Sequence, residues 1–274
     1  MTISFVILCW NSEKYIRNCL NSIIELYDVV RHIVVVDNGS VDGTKSVIKS
    51  VITNLPSEDC LSLELIEFDK NYGTTYSRNV GIKHIQRNYP ETDFYCILDS
   101  DTVVNQPAFM AMVNALNADP KCGIIGPRLH SSDGTYQVSG RNVPTLTEKI
   151  YKILPIESFK QKGEQMQICL DMENPKTQSV GYLMSACWLI KKELIEKIGL
   201  LDEKIFYAPE DVEYCVRAWW VGYSVKYCAE ADIIHEWQRL SRKKLFCKHN
   251  LEHIKGLLYF YSKYGHAFKQ YKPY

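Results

Sequence analysis

Apolar and polar positions follow two periods along the first part of the chain, one typical of buried strands and one of amphipathic helices. Residues 3–10 form a continuous apolar run, as expected for a strand covered on both faces. Strand patterns also cover residues 32–37, 63–68 and 94–98, and helix patterns cover residues 47–51 and 75–86. The alternation of strand and helix predicts an α/β fold, with a Rossmann-like, mostly parallel central sheet flanked by helices.

The first helix has the clearest signal in the chain. We expect it to be capped by Asn11 or Ser12 and to present one apolar face. That face comprises Tyr15, Ile16, Cys19, Leu20, Ile23, Ile24 and Tyr27.

The second half of the chain is less regular. The periodicity weakens over residues 130–180, where loops that shape a substrate site are expected. A strand is predicted over residues 181–190, helices over 192–198 and 210–220, and late strands over 223–227 and 232–234. A C-terminal helical tail over residues 246–264 places Leu251, Ile254, Leu258 and Tyr261 on one face.

Composition narrows the class of protein. Among 274 residues, 32 Lys+Arg balance 32 Asp+Glu, so no net positive charge attracts a nucleic acid, which is not an expected partner. No apolar run reaches the roughly 20 residues that a membrane helix requires, and no leader segment precedes the first strand, so we expect a cytoplasmic protein. The ten cysteines are scattered, without a Cys-x-x-Cys motif, and are expected to be mostly reduced, buried thiols.

Acidic residues follow three of the predicted strands. Asp99-Ser100-Asp101 ends one strand, and its two carboxylates point to the same side, as a site for Mg²⁺ or Mn²⁺ would require. Asp37 and Asp69 follow two other strands, so four carboxylates are expected to line one crevice. The alternative for Asp-Ser-Asp is a turn that caps a helix. Arg78 is either a phosphate ligand or a surface helix residue.

Phosphate-binding loops are not found. No Gly-x-Gly-x-x-Gly follows the first strand and no P-loop motif is present, so metal and side chains would have to hold any phosphates.

Four segments occurring in order resemble the inverting nucleotide-sugar glycosyltransferases of family 2, which have the GT-A fold. They are Val-Val-Val-Asp-Asn-Gly-Ser at residues 34–40, Asn71-Tyr72-Gly73 with Arg78-Asn79-Val80-Gly81, Leu98-Asp99-Ser100-Asp101, and Glu210-Asp211-Val212-Glu213. The Asp-Asn-Gly-Ser form and residues 139–144 are most similar to the rhamnosyltransferase-like bacterial branch.

The resemblance implies roles for individual residues. Asp211 would be the general base, Glu210 would lie on the acceptor side, and Asp101 and His235 would bind Mn²⁺ or Mg²⁺. The residues implied around the nucleotide sugar are Cys9, Trp10, Asn11, Asp37, Asn71, Arg78, Asp99, Ser100 and Asp101. The implied substrates are a UDP-sugar or a dTDP-rhamnose-like donor and a glycan, lipid-linked or protein-linked acceptor, in the synthesis of a bacterial surface polysaccharide or glycoconjugate.

Several of these residues have a structural alternative. A histidine after an apolar strand, as at His235, is often structural, and Glu210-Asp211 could simply stabilise the first turn of a helix. That helix terminus tends to lower the pKa of Asp211, so burial or Glu210 would have to offset it. Trp188 is either an acceptor contact or a core residue.

A basic stretch and the overall organisation complete the predictions. Residues 239–248, with Arg239, Arg242, Lys243, Lys244 and Lys248, form a lid, a contact with the inner face of the membrane, or a solvated loop. We expect one GT-A domain with a nucleotide-sugar half (1–102), an acceptor half (103–235) and a tail (236–274). The alternative functions are a sugar-nucleotidyltransferase and a non-catalytic carbohydrate-binding protein. The oligomeric state is left open.

Overall fold

A computed structural model describes residues 1–56, 60–236 and 248–265 of this protein. In its first part, strands and helices alternate, as the sequence predicts. The elements are β1 (Thr2–Cys9), α1 (Ile16–Ile24), β2 (Val30–Asp37), α2 (Thr44–Thr53), β3 (Leu61–Glu67), α3 (Thr74–Asn88) and β4 (Phe94–Asp99).

The remaining elements are shorter and more mixed. They are β5 (Thr102–Val103), α4 (Gln106–Ala118), β6 (Cys122–His130), β7 (Tyr136–Gln137), β8 (Gly140–Arg141), α5 (Leu146–Ile153), α6 (Glu157–Gln167), β9 (Gln178–Ser179), β10 (Tyr182–Leu183), β11 (Cys187–Lys191), α7 (Lys192–Ile198), α8 (Glu210–Trp220), β12 (Ser224–His235) and α9 (Lys248–Tyr264).

One large sheet connects the two halves of the described chain, with strand order β3-β2-β1-β4-β11-β6-β12-β5. The first four strands are parallel, and β11 lies antiparallel between β4 and β6. Because parallel strands end at the same edge, the residues that follow β1, β2 and β4 lie near one another. The predicted α/β fold with a mostly parallel sheet is confirmed.

The core lies on both faces of this sheet. Helices α1, α2 and α4 cover one face, and α3, α7, α8 and α9 contribute to the apolar cluster on the other. Helix α3 packs closely because Gly81 has no side chain; a Cβ there would lie 2.6 Å from Cγ1 of Val6 in β1. This approach fixes α3, and with it Arg78, against the parallel strands.

The first helix starts later than predicted. Its N-cap is Tyr15, with no capping side chain, so the expected cap at Asn11 or Ser12 is wrong. The Ser12 hydroxyl lies 2.7 Å from that of Ser100 and links the end of β1 to the acidic turn. Ile16 and Leu20 are buried as predicted, but Tyr27 lies beyond the helix and is 60% exposed.

The strand predicted over residues 181–190 is interrupted. Residues 184–186 separate β10 from β11. Their backbone oxygens face the acidic turn: Ala186 O accepts from Asp99 N at 2.9 Å, and Ser185 O accepts from Arg78 at 3.2 Å. The chain leaves the sheet here because these oxygens bind the polar groups of the site, and an apolar pattern does not reveal such a break.

Three other expectations change. The two late strands are one strand, β12, with an irregularity between Cys228 and Asp232. The weakly periodic segment 130–180 contains the helices α5 and α6 as well as loops. Helix α4 and strand β6 were not predicted, although both bury apolar residues.

The predicted face of the C-terminal helix is partly wrong. Leu251, Ile254 and Leu258 are 51%, 54% and 63% exposed, whereas Tyr261 is buried. Helix α9 packs instead through Gly256, where a Cβ would lie 2.1 Å from the carbonyl oxygen of Ala208. The backbone of α9 therefore contacts the segment that leads into α8.

Polar contacts also join α9 to α8. The carboxylate of Glu213, fully buried in α8, accepts hydrogen bonds from Tyr264 OH at 2.6 Å and Lys263 Nζ at 2.9 Å. Because Glu213 also pairs with Arg217, its buried charge is compensated. The tail is thus attached to the helix that begins with Glu210 and Asp211.

Candidate active site

A potential metal site forms where β4 and β12 end. Asp99 is the last residue of β4, Asp101 follows in the turn, and His235 ends β12 opposite Thr102 of β5. One ligand atom from each of Asp99, Asp101 and His235 lies within 4.8 Å of the others. Oδ1 of Asp101 lies 3.4 Å from Nε2 of His235. Two carboxylates and one imidazole make a donor set that suits Mn²⁺.

The orientation of His235 fits metal binding. Oε1 of Gln137 accepts from Nδ1 of His235 at 2.7 Å, while Nε2 of Gln137 donates to the backbone oxygen of His235 at 2.7 Å. This arrangement puts a ring proton on Nδ1, so that Nε2 is the nitrogen that faces Asp101 and can coordinate a metal once it carries no proton. Burial lowers the pKa of His235, but the hydrogen bond and charge of Asp101 outweigh it and raise the pKa overall.

Arg78 joins two pairs of acids. Its Nη2 donates to Oδ1 of Asp99 at 2.7 Å, and its Nη1 donates to Oε1 of Glu210 at 3.1 Å and to Oγ of Ser185 at 2.9 Å. The side chain is 2% exposed. Arg78 is therefore a buried cation that compensates two carboxylates, and the surface-helix alternative is wrong.

Glu210 and Asp211 open α8 and differ in their bonding. Glu210 accepts from Arg78 and from Ser185, whereas Oδ1 of Asp211 accepts from its neighbour Val212 N at 2.8 Å. Burial raises the pKa of Glu210 to about 7, with a further contribution from the charge of Asp211. Burial also raises the pKa of Asp211, against the opposing backbone hydrogen bond. Burial thus raises the pKa of Asp211 by more than the helix terminus lowers it.

These groups share one cavity of about 330 Å³. Its lining contains the metal-site residues, Arg78 and the two acids of α8, together with side chains from the ends of β1 and β2. The predicted site residues in the lining are Trp10, Asn71, Arg78, Asp99, Ser100, Asp101, Glu210, Asp211 and His235.

Other predicted residues lie outside this lining. Cys9 is fully buried, and burial raises the pKa of its thiol well above the usual range. Asn11 has a positive φ of 52°, and its Oδ1 accepts from Val41 N at 3.0 Å. Asp37 is also fully buried, and its Oδ1 accepts from Ser40 N at 2.9 Å. A nucleotide role for these three residues stays a prediction.

The expected crevice of four carboxylates is wrong. Asp69 is exposed, and β3, which precedes it, is three strands from β4, a separation of about 14 Å across a sheet. Asp37 turns back into its own loop. The cavity instead brings Asp99 and Asp101 together with Glu210 and Asp211, which come from a helix and not from a strand end.

The predicted contact between Trp188 and the acceptor is also wrong. It lies on β11 with no exposed surface, and its ring stacks on Tyr214 at a centroid distance of 6.0 Å. The core alternative is therefore right, and the side chain cannot contact an acceptor. The strand period places Trp188 on the sheet face that α8 covers, which the apolar run around it could have indicated.

Sequence reasoning missed several residues of the site. Ser185 orients both Arg78 and Glu210, and Gln137 orients His235. Phe206, Tyr207 and Ala208 line the cavity just before α8. None of them belongs to a recognisable motif; a polar residue within an apolar run, as at Ser185, was the one available signal.

The cysteines agree with the prediction of reduced thiols. Within the described ranges, the seven buried cysteines form no disulfides. They are Cys9, Cys19, Cys96, Cys122, Cys187, Cys215 and Cys228.

The basic stretch 239–248 cannot be assigned a role from the fold, because residues 237–247 lie outside the described residues. In the part of the chain that is described, no helix combines the length and the apolar character needed to cross a membrane.

Known proteins resemble this chain in sequence. The sequence model of the family described as "Glycosyl transferase family 2" matches residues 4–199. The poly-beta-1,6-N-acetyl-D-glucosamine synthase of Staphylococcus aureus (strain COL) is 26% identical over 227 residues, which cover 82% of this chain and 47% of the synthase. The N-acetylglucosaminyl-diphospho-decaprenol L-rhamnosyltransferase of Mycobacterium tuberculosis (strain CDC 1551 / Oshkosh) is 25% identical over 214 residues, 74% of this chain and 66% of that enzyme. The chain spans about half the length of the synthase.

Solved structures share the fold. The crystal structure of GalNAc-T7 with UDP, GalNAc and Mn²⁺ matches with a TM-score of 0.61 at 15% sequence identity, over 87% of this chain and 45% of that one. The prediction of a GT-A fold is confirmed.

Proposed function

Because the chain belongs to glycosyl transferase family 2, we propose that it transfers a sugar from a nucleotide diphosphate donor to an acceptor hydroxyl, with metal dependence and inversion at the anomeric carbon. The observation that carries this proposal is that one cavity contains both a group of metal-binding side chains and a separate carboxylate. It holds the metal-binding group Asp99, Asp101 and His235, and it also holds the carboxylate of Asp211.

The metal-binding group would hold Mn²⁺ or Mg²⁺. The Nδ1–H bond to Gln137 supports this role, because it leaves Nε2 of His235 free to coordinate. Bound there, the ion would neutralise negative charge on the diphosphate as it leaves. Since Arg78 is held by Asp99 and Glu210, its contribution is to fix these two acids and to add positive charge near the diphosphate.

Asp211 is proposed as the general base. It takes the proton of the acceptor hydroxyl while that oxygen attacks the anomeric carbon, and the bond from this carbon to the diphosphate oxygen breaks. Attack from the face opposite the leaving group inverts the configuration. Burial favours this role because it raises the pKa of Asp211 and makes the carboxylate a stronger base. Glu210 is less suited, since Arg78 and Ser185 occupy its Oε1.

The substrates are proposed from the relatives. A UDP-sugar is the first choice of donor, since GalNAc-T7 was crystallised with UDP, and a dTDP-rhamnose-like donor is the second, because one relative is an L-rhamnosyltransferase. The acceptor is proposed to be a glycan, lipid-linked or protein-linked hydroxyl in bacterial surface polysaccharide or glycoconjugate synthesis, which the S. aureus synthase supports. Reduced buried thiols favour action on the cytoplasmic side.

Two other functions agree less well with the sequence. A sugar-nucleotidyltransferase would need a glycine-rich basic loop after β1, where this chain has Cys9-Trp10-Asn11-Ser12. A non-catalytic carbohydrate-binding protein would not need the intact acids and histidine, and a turnover assay separates it from an enzyme.

The test is a thermal-shift panel of UDP-, dTDP- and GDP-sugars with and without Mn²⁺, because a ligand that binds the folded state raises its apparent stability. We expect a shift with one nucleotide that requires Mn²⁺ and disappears in Asp101→Ala. Asp69→Ala, which removes an exposed acid outside the cavity, is the control and should respond like the wild type. A shift that is unchanged in Asp101→Ala, or equal without metal, would contradict the site.

A further inference from the structure

A second cavity, of about 260 Å³, also has Asp211 in its lining. Strand β8, helix α5, the segment before α8 and helix α9 form its walls. Its polar lining residues include Arg141, Lys149, Lys152, Gln167, Asp211 and His253. None of the predicted roles, apart from that of Asp211, involves this cavity.

Its charge is unbalanced. Three cations, Arg141, Lys149 and Lys152, line the cavity, and among its described lining residues Asp211 is the one carboxylate. Glu148 lies behind them, 2% exposed. Burial, together with the charge of Lys149, lowers the pKa of His253 to about 4, so this residue is neutral at pH 7.

The three cations are compensated to different degrees. Lys152 lies 3.2 Å from Oε1 of Glu148 and 2.5 Å from Oε1 of Gln167, and Arg141 donates to the same Gln167 oxygen at 3.0 Å. Lys149 lies 3.7 Å from Oε1 of Glu148, beyond hydrogen-bond distance. Burial lowers the pKa of Lys149 more than the nearby charge of Glu148 raises it. An anion in the cavity would add a closer partner for this ammonium group.

Asp211 connects this cavity with the donor site, because it lines both. An acceptor whose hydroxyl lies at Asp211 can therefore extend into the basic cavity. We propose that this cavity binds the phosphate group of a phosphorylated acceptor sugar, with Lys149 and Arg141 as its principal ligands; this assignment rests on the proposed function of Asp211 as the base.

The phosphate can belong to a soluble sugar phosphate or to a lipid carrier. The same helices bear exposed aliphatic side chains, Ile150 on α5 and Leu251, Ile254 and Leu258 on α9. An isoprenyl chain attached to the phosphate would find apolar surface there. A sugar phosphate and a lipid phosphate share the phosphate ester. The experiment distinguishes them by using one probe of each kind.

The experiment is isothermal titration in EDTA, where binding to the donor site loses its metal. The probes are glucose 1-phosphate with glucose as its control, and farnesyl phosphate with farnesol as its control. We expect at least one phosphate to bind and its uncharged control not to bind. Lys149→Gln should weaken phosphate binding about tenfold or more, since it removes a charged hydrogen bond. Lys160→Gln, which removes a 45% exposed cation of α6 outside the cavity, should bind like the wild type.

Each result decides the proposal. Preference for farnesyl phosphate supports a lipid-linked acceptor, and preference for glucose 1-phosphate supports a soluble one. Failure of both phosphates to bind, or equal binding by wild type and Lys149→Gln, overturns the subsite. If Lys149→Gln has a lowered melting temperature, Arg141→Gln, which removes the other principal ligand, is the second variant and should weaken phosphate binding likewise. Asp101→Ala should keep phosphate binding in EDTA, so loss of metal-dependent donor binding and loss of this subsite are observed separately.

Discussion

The acidic turn after β4 and the start of α8 each present two acids to the same cavity, but they are built differently. Asp99 and Asp101 stand at a strand end, and the second of them faces His235. Glu210 and Asp211 stand at a helix start, and burial raises the pKa of both. In each pair, Arg78 holds the first acid.

The difference between the pairs is the partner of the second acid. Asp101 has an imidazole beside it, which suits shared coordination of a cation, whereas Oδ1 of Asp211 accepts only from the adjacent backbone amide among the described residues. One guanidinium therefore contacts both pairs and leaves the second acid of each without an arginine partner. The comparison teaches that two similar pairs of acids can be placed in different surroundings by the groups that face their second member.

The largest expected effect tests the difference between Asp211, the proposed base, and Glu210. Asp211→Asn should lower turnover by about 10²- to 10⁴-fold, the usual contribution of a general base, while donor affinity is kept. Glu210→Gln is the matched variant and should lose much less, because its carboxylate binds Arg78 and Ser185. Steady-state kinetics with the donor identified by the thermal-shift panel makes the measurement. Equal losses in both variants would remove the distinction between the two acids.

Removal of the shared cation should be the next largest effect. Arg78→Met leaves Glu210 buried and Asp99 one-third exposed without their partner, which should cost about 3 kcal/mol of unfolding free energy. Lys83, on the same helix as Arg78, is an exposed cation 3.5 Å from Glu203. Lys83→Met should change the free energy of unfolding by less than about 0.5 kcal/mol. Urea unfolding measures both. Similar small effects would show that Arg78 is not the common support of the two pairs.

The orientation of the His235 ring beside Asp101 can be tested by changing Gln137, which holds it. Gln137→Leu removes the acceptor for Nδ1–H of His235, and the affinity for Mn²⁺ should fall about tenfold because the ring loses its orientation. Gln178→Leu, which removes an amide that bonds to Cys169 O away from the site, is the control. Titration with Mn²⁺ followed by electron paramagnetic resonance measures binding directly. Unchanged affinity in Gln137→Leu would contradict the orienting role.

The last test concerns proton binding by Glu210. Its pKa is about 7 in the folded protein and 4.5 in its usual environment, so the folded state binds this proton more tightly. The contribution of Glu210 to stability is fully present below pH 4.5 and is lost as the pH rises through about 7. Glu210→Gln lacks this titration, and its stability relative to wild type should therefore increase with pH across that interval. A relative stability that does not vary with pH would contradict the raised pKa.

Much of the fold was predictable because local patterns agree with their surroundings. The apolar run of β1 is buried on both faces, and the apolar stripe of α1 faces the core. The prediction failed where tertiary contacts decide the structure. Residues 184–186 leave the sheet to bind Arg78 and the acidic turn, and the aliphatic face of α9 is exposed because Gly256 turns the opposite side inward.

The site was predictable as a set of motifs but not as a geometry. Asp99, Asp101 and His235 come together as the resemblance implies. The sequence could not indicate that Arg78 would lie between two carboxylates, because that depends on Gly81 placing α3 directly on β1. Nor could it indicate that Asp69 would be exposed and outside the cavity, whereas Asn71, two residues later, lines it.

The contact between Gly256 and Ala208 has a consequence for engineering and for divergence. Since a single added methyl group at position 256 would collide with the backbone two residues before Glu210, the tail cannot be exchanged freely between related enzymes. A chimera that receives a foreign C-terminal helix should retain activity only if the graft supplies a glycine at the crossing point. The tail and helix α8 thus behave as one packing unit.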